Sequence, residues 1–254
     1  MAVSWGTLAL EPGLEQTVSL GETEIRLVAE DDRYRVHVSG SAIERTATAV
    51  VGWRDIFTKP GTSLSVEPAS PDLPVVLKPR EPIALGPGRT VHYEVLVPTW
   101  LRLLEVTTDA RKTPRKTVLL DLPTRVLKRT WFGTAESGEV AYGWGFDSRS
   151  RESYQRHHLV VPLEIRNQSQ SVLWFERLLL RVVHLDLFRV HSRIETNAVT
   201  VTFKGSEQLS NINYQSTQDK QLQGAVLVGD RRTEANPDIL RRSFLWLRDL
   251  NRVR

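Results

Sequence analysis

The chain has 254 residues, 40% of them hydrophobic, and a formal net charge of +4, enough to build one large or two smaller β domains. Its lack of cysteine excludes disulfides, thiolate metal sites and cysteine nucleophiles and fits a reducing compartment. No window reaches the roughly 18 consecutive apolar residues of a membrane span, and Met1–Leu10 lacks the cationic start and apolar core of a signal peptide, so a cytoplasmic location is expected.

Prolines and glycines recur at short intervals, and the runs between them alternate or are β-branched, which is an all-β pattern. Strands are predicted at Gln16–Leu20, Glu24–Ala29, Tyr34–Val38 and Thr46–Trp53. The Glu30-Asp31-Asp32 run reads as a hairpin turn because it lacks the alternating oxygen ligands of a calcium loop. Five prolines at 68, 71, 74, 79 and 82 predict an extended crossing or an edge rather than a central strand. Thr90–Val97 then alternates as a half-buried strand. The charged tract 109–116, with Pro114, reads as a turn or linker, and a domain boundary is placed near residue 125.

Residues 1–125 carry 15 basic and 16 acidic side chains and residues 126–254 carry 19 and 14. The basic excess therefore belongs to the second half, where it reads as an ordinary solvated surface. This half opens with strands at Thr117–Leu122 and Arg125–Phe132. An aromatic hairpin follows, in which Trp131, Tyr142, Trp144 and Phe146 are interleaved with glycines and followed by Arg149, Arg151 and Arg156. On one strand Tyr142, Trp144 and Phe146 share a face while Gly143 and Gly145 leave the other bare. The rings suit either a core with cross-strand pairs or a platform on which a sugar, base or partner side chain stacks, Arg149 and Arg151 meeting anionic groups.

Further strands are predicted at Leu159–Arg166, Val172–Val190, Thr196–Lys204 and Leu222–Val228. Asn167-Gln-Ser-Gln170 matches a glycosylation acceptor and reads as a turn. Asn236-Pro-Asp238 then starts an amphipathic helix over 237–251. Phe244 and Trp246 with Arg241 and Arg248 make this helix either a docked terminal element or a partner-docking one.

No phosphate-binding loop, nucleophile elbow or His-Glu-x-x-His motif is present. Of the histidines 37, 92, 157, 158, 184 and 191, only His157 and His158 are neighbours, and adjacent strand residues point to opposite faces. No catalytic, metal or cofactor residue is assigned, and the chain is not expected to be an enzyme.

Several segments resemble a prokaryotic family catalogued as domain of unknown function four-three-two. They are Ser19-Leu-Gly-Glu-Thr-Glu-Ile25 with Tyr34-Arg35, Pro79-Arg-Glu-Pro82, Trp131-Phe-Gly-Thr-Ala-Glu-Ser-Gly-Glu-Val-Ala-Tyr142, and Leu163-Glu-Ile-Arg-Asn167 with Trp174. The similarity covers most of residues 14–214. It departs where the family continues into an Arg-Tyr pair and this chain has Ala141-Tyr142-Gly-Trp, so no arginine role is carried over. The resemblance implies a β-rich, non-enzymatic protein and suggests a soluble accessory subunit of a small mechanosensitive channel.

The expected architecture is all-β: two β-sandwich-like domains, antiparallel and Ig-like, over 1–125 and 126–254, with the short C-terminal helix. The expected function is a non-catalytic interaction module without cofactor. Its expected partner is a protein such as a membrane channel, which would hold the chain at the membrane periphery; a homo-oligomer is left open and nucleic acid is not expected. The alternative is a carbohydrate- or nucleotide-binding β-sandwich that uses the aromatic platform.

Overall fold

The computed structural model describes residues 5–44, 52–58, 61–108, 113–133, 135, 136, 138–147, 154–205 and 211–233. Strands account for 60% of the structure and helix for 5%, which makes the protein all-β. The first strands are β1 (Gly6–Thr7), β2 (Glu15–Leu20), β3 (Thr23–Ala29) and β4 (Arg33–Ser39), followed by a one-turn helix α1 (Ser41–Glu44), β5 (Trp53–Phe57) and β6 (Ser63–Ala69). Next come β7 (Val75–Pro79), β8 (Ile83–Leu85), β9 (Thr90–Pro98), β10 (Trp100–Thr108), β11 (Pro114–Pro123), β12 (Lys128–Phe132) and β13 (Glu139–Phe146). The remainder is β14 (His158–Asn167), β15 (Leu173–Phe175), β16 (Leu178–Leu180), a 3-10 turn at Val182–His184, β17 (Leu187–Val190), β18 (Arg193–Thr196), β19 (Val199–Phe203), β20 (Asn211–Tyr214), α2 (Thr217–Leu222) and β21 (Val226–Gly229).

The strands divide between two compact units, and the division is not linear. One unit holds Met1–Ala69 and Pro98–Val126, the other Ser70–Val97 and Leu127–Arg254. Residues 70–97, which a single cut at 125 leaves with the N-terminal half, join the second unit because their hydrogen-bond partners lie there. β7 pairs with β13 and β16, β8 with β15, and β9 with β14.

The first unit is a sandwich of two antiparallel sheets, ordered β2-β3-β4-β5 and β1-β6-β10-β11. On β3, every second side chain from Thr23 to Ala29 is buried, the period of a strand with one face on a core. Ile25, Leu27, Val36 and Val38 of one sheet pack with Leu64, Val66, Leu101 and Leu103 of the other in a single apolar cluster. Each such fully buried side chain contributes about 1.5–3 kcal/mol. Gly21, at φ +61°, allows the β2–β3 turn to close on the end of β11: a Cβ there would lie 2.3 Å from the Thr124 carbonyl oxygen. The adjacent Glu22 N–H donates to that same oxygen at 2.7 Å.

The second unit contains mixed sheets. β12-β13-β7-β16 form one and β20-β19-β14-β18-β17-β21 another, with β9 also on β14 and β8–β15 as a separate ribbon. β13 runs parallel to β7, and β14 runs parallel to β18 and β19. Such strands are covered on both faces and read as apolar runs, as Val75–Leu77 of β7 and Leu159–Val161 of β14 do, all buried.

Three expectations about individual elements change. β7 is a central strand, because Pro74 and Pro79 bracket Val75–Lys78 instead of interrupting it and the intervening N–H groups remain free to pair. Leu222 ends α2, capped by the Ser216 hydroxyl accepting from the Asp219 N–H, so the strand expected from Leu222 begins at Val226. Val172–Val190 is broken into β15, β16, a 3-10 turn and β17. Most of the Thr46–Trp53 strand and the whole of the 237–251 helix, with Phe244, Trp246, Arg241 and Arg248, lie outside the described residues.

Candidate functional site

The hairpin rings sit on neighbouring strands of one sheet. β12 is the outermost strand, and β13 lies between it and β7. Trp131 stands opposite Val140 and Arg129 opposite Tyr142, so these side chains share a face with Trp144 and Phe146. The opposite face carries the buried cluster Val76, Phe132, Ala141 and Leu179.

An interior strand draws its rings into the unit. The Tyr142 ring is 6% exposed, and its hydroxyl donates to Asp72 Oδ1 at 2.9 Å. Burial, aided by the Asp72 carboxylate, pushes this phenol up to about 12. Trp144 Nε1 donates to the Leu96 carbonyl at 2.6 Å, and its ring meets His158 at 6.5 Å between centroids. Phe146, 4% exposed, packs edge-on against Tyr93 at 5.8 Å and beside Phe175 at 6.4 Å. Trp131 alone remains open, at 49% exposure beside Val140 at 42%. Arg149 and Arg151 lie outside the described residues.

Four rings therefore do not form one platform. The bare glycine face is also no special approach path: a Cβ at Gly143 would meet Thr130 Cγ2 at 3.8 Å and one at Gly145 the Lys78 carbonyl oxygen at 3.8 Å, both ordinary contacts. The expected separation of His157 and His158 is corrected too. Their ring centroids are 4.4 Å apart, because His157 precedes β14 and is not bound by strand alternation. Among the described residues no three metal-ligating side chains cluster. Asn167 is 1% exposed; its amide donates to the Leu85 and Ser171 carbonyls and its oxygen accepts from Ser169, which closes the turn.

A second aromatic surface, on β5, was not among the expected sites. On the outward face of the first unit's β2–β5 sheet, Arg26, His37 and Trp53 stand in one cross-strand row. Trp53 lies between the Arg26 and Arg35 guanidinium groups, 5.6 and 5.2 Å from its ring centre, and Arg33 lies 5.8 Å from Phe57. Glu15, Glu24, Glu30 and Asp55 pair with these arginines, so the face carries no unbalanced positive field for a polyanion. The signal was the alternation Trp53, Asp55, Phe57, which marks one face of a strand only once the strand's position is known.

The buried charges of the second unit are engaged with one another. Arg181 forks onto both oxygens of Glu139, and Lys220 reaches Glu195 at 2.9 Å. Asp186, 4% exposed, accepts from the Arg231 N–H and Nε at 2.9 and 3.0 Å and from Thr217. Burial pushes the Asp186 carboxyl upward, but the Arg231 and Thr217 hydrogen bonds outweigh it and hold the group below its ordinary value. These pairs fasten β16, α2 and the segment after β21.

Most of the large apolar side chains that stay exposed have a common address; Val140 on the interior β13, and Leu14 and Val172 outside the strands, do not share it. Trp53 and Phe57 are on β5, Val118 on β11, Trp131 on β12, Trp174 on β15 and Val226 on β21, each an outermost strand among the described residues. Sheet edges are usually blunted by charge, proline or a covering element, because their free backbone groups invite another strand.

The family model described as "Protein of unknown function (DUF432)" matches residues 4–248, and the chain belongs to that family. No curated protein and no solved structure matches the chain.

Proposed function

We propose that this DUF432 family member is a non-catalytic interaction module that docks partners by strand addition at its sheet edges. The observation that carries this reading is the placement of its exposed tryptophan and phenylalanine rings, Trp53, Phe57, Trp131 and Trp174, on outermost strands. In strand addition, the edge backbone supplies affinity and alternate side chains supply selectivity. Trp131 with Val140, and Trp174 with Val172, would provide apolar contacts beside two such edges.

The partner we propose is a small mechanosensitive membrane channel, the class suggested by the family resemblance, with the chain as its cytoplasmic accessory subunit. No helix among the described residues is long and apolar enough to cross a membrane, and attachment would run through the channel. The test is co-purification of the full chain with the detergent-extracted channel of the same genome. Recovery that falls at least tenfold in Trp131→Ser or Trp174→Ser, with unchanged melting temperature, supports edge docking. Recovery indifferent to every edge substitution overturns edge docking, and no recovery of the channel overturns the partner.

A further inference from the structure

We infer that β5 of the first unit is a strand acceptor for an extended segment that carries an acidic residue among branched apolar ones. This deepens the edge-docking reading and rests on it. β5 and β11 are the outermost strands of the two facing sheets, and between them lies a cleft of about 230 Å³ lined by Val36, Val38, Ile56, Leu119 and Leu120 together with Arg54 and Asp55. The bulge in β11 shapes it. Leu103 pairs with Leu120 and Leu104 with Val118, which leaves Leu119 as the extra residue. Such a residue bends an edge strand and re-aims its side chains, and here both leucines line the cleft.

The charge in this cleft is the selective feature. Arg54 stands opposite Val36 and Ile56 opposite Tyr34, so Arg54 occupies a core-facing register position on an exposed strand. Among the described residues it has no acidic partner, whereas its neighbour Asp55 is held by Arg35 at 3.6 Å. A strand laid along β5 would place apolar side chains into the cleft against Ile56, Leu119 and Leu120. It would also bring a residue opposite Arg54, where a carboxylate gains a charge-assisted, two-pronged hydrogen bond. On the other face its alternate side chains would meet the rings of Trp53, 37% exposed, and Phe57, 68% exposed. A second copy of this chain fits less well. Antiparallel pairing of β5 with itself about its central residue sets Asp55 opposite Asp55, and like charges directly opposite are unfavourable.

The test is selection of a displayed random ten-residue peptide library on the full-length protein, followed by binding of the enriched peptides in solution. Enriched sequences are expected to carry Asp or Glu with Val, Ile or Leu two residues away, the spacing of one strand face. Replacing that acid by its amide should weaken binding about tenfold. Arg54→Gln should erase the difference between acid and amide, and Arg54→Glu should shift enrichment to Lys or Arg. Arg54 is exposed, and a melting temperature matching the parent confirms that each variant is folded. Enrichment without an acid, or insensitive to Arg54→Glu, overturns the inference. So does an empty selection, or a β5-dependent dimer in sedimentation analysis. Failure here alongside channel recovery that still depends on Trp131 or Trp174 leaves edge docking standing; loss of both sinks both.

Discussion

The β12–β13 hairpin and β5 share their ingredients, tryptophan and phenylalanine alternating along a strand with arginines nearby, and the fold uses them in opposite ways. β13 has a strand on each side, and its Tyr142 and Phe146 are buried with partners for ring and hydroxyl. β5 has one neighbour, and its Trp53 and Phe57 stay exposed beside three arginines. Rank within the sheet, rather than composition, separates the rings that are buried from those left exposed. A strand paired on both sides has no backbone edge left to offer.

The sharpest way to break this contrast is Phe146→Ala. Removing a ring packed on Tyr93 and Phe175 should cost about 3–5 kcal/mol in chemical denaturation, and a cost below about 1 kcal/mol would place that ring outside the core. Asp186→Asn should come next, at about 3 kcal/mol, by stripping Arg231 of its buried carboxylate. Hydrogen exchange should then rise selectively in β21 and residues 230–233. Trp144→Phe keeps an aromatic ring, smaller than the indole, but leaves the Leu96 carbonyl without its donor, for at least about 1 kcal/mol in the same denaturation series. Trp131→Ser should change stability by no more than about 0.5 kcal/mol, while channel recovery falls.

The pH response tests two buried groups of the second unit, one at each end of the scale. The folded Asp186 carboxyl titrates below its ordinary 3.8, so its contribution is present above that pH and is lost as pH falls through the folded value. The Tyr142 phenol is raised from 10.0 to about 12, so its contribution is complete below pH 10 and is lost as pH rises through 12. Acid and alkaline melts of the parent, Asp186→Asn and Tyr142→Phe should show each slope flattened in its own variant. An unchanged slope would remove that group from the fastening network.

Much of the architecture was legible in the residues. The all-β class followed from short alternating runs, and β2, β3, β4, β9 and β14 lie close to their expected places, because a period of two with one buried face leaves a strong trace. Family membership was legible from motifs spread over residues 14–214 and extends to 4–248. β7 was harder, since proline content argues against a central strand unless both prolines fall at the strand's ends. The candidate surfaces were legible only as residue types: alternation names a face, and nothing local says whether that face looks inward.

By itself, then, the sequence determined the strand class and the pairs of residues that share a face. Those properties are set by backbone geometry over a few consecutive residues. Tertiary structure alone decided that residues 70–97 belong with the C-terminal half, that β13 is interior and β5 an edge, and that Arg54 stands at an apolar cleft. Each of these depends on hydrogen bonds between strands far apart along the chain, and a free edge is a property of the whole sheet.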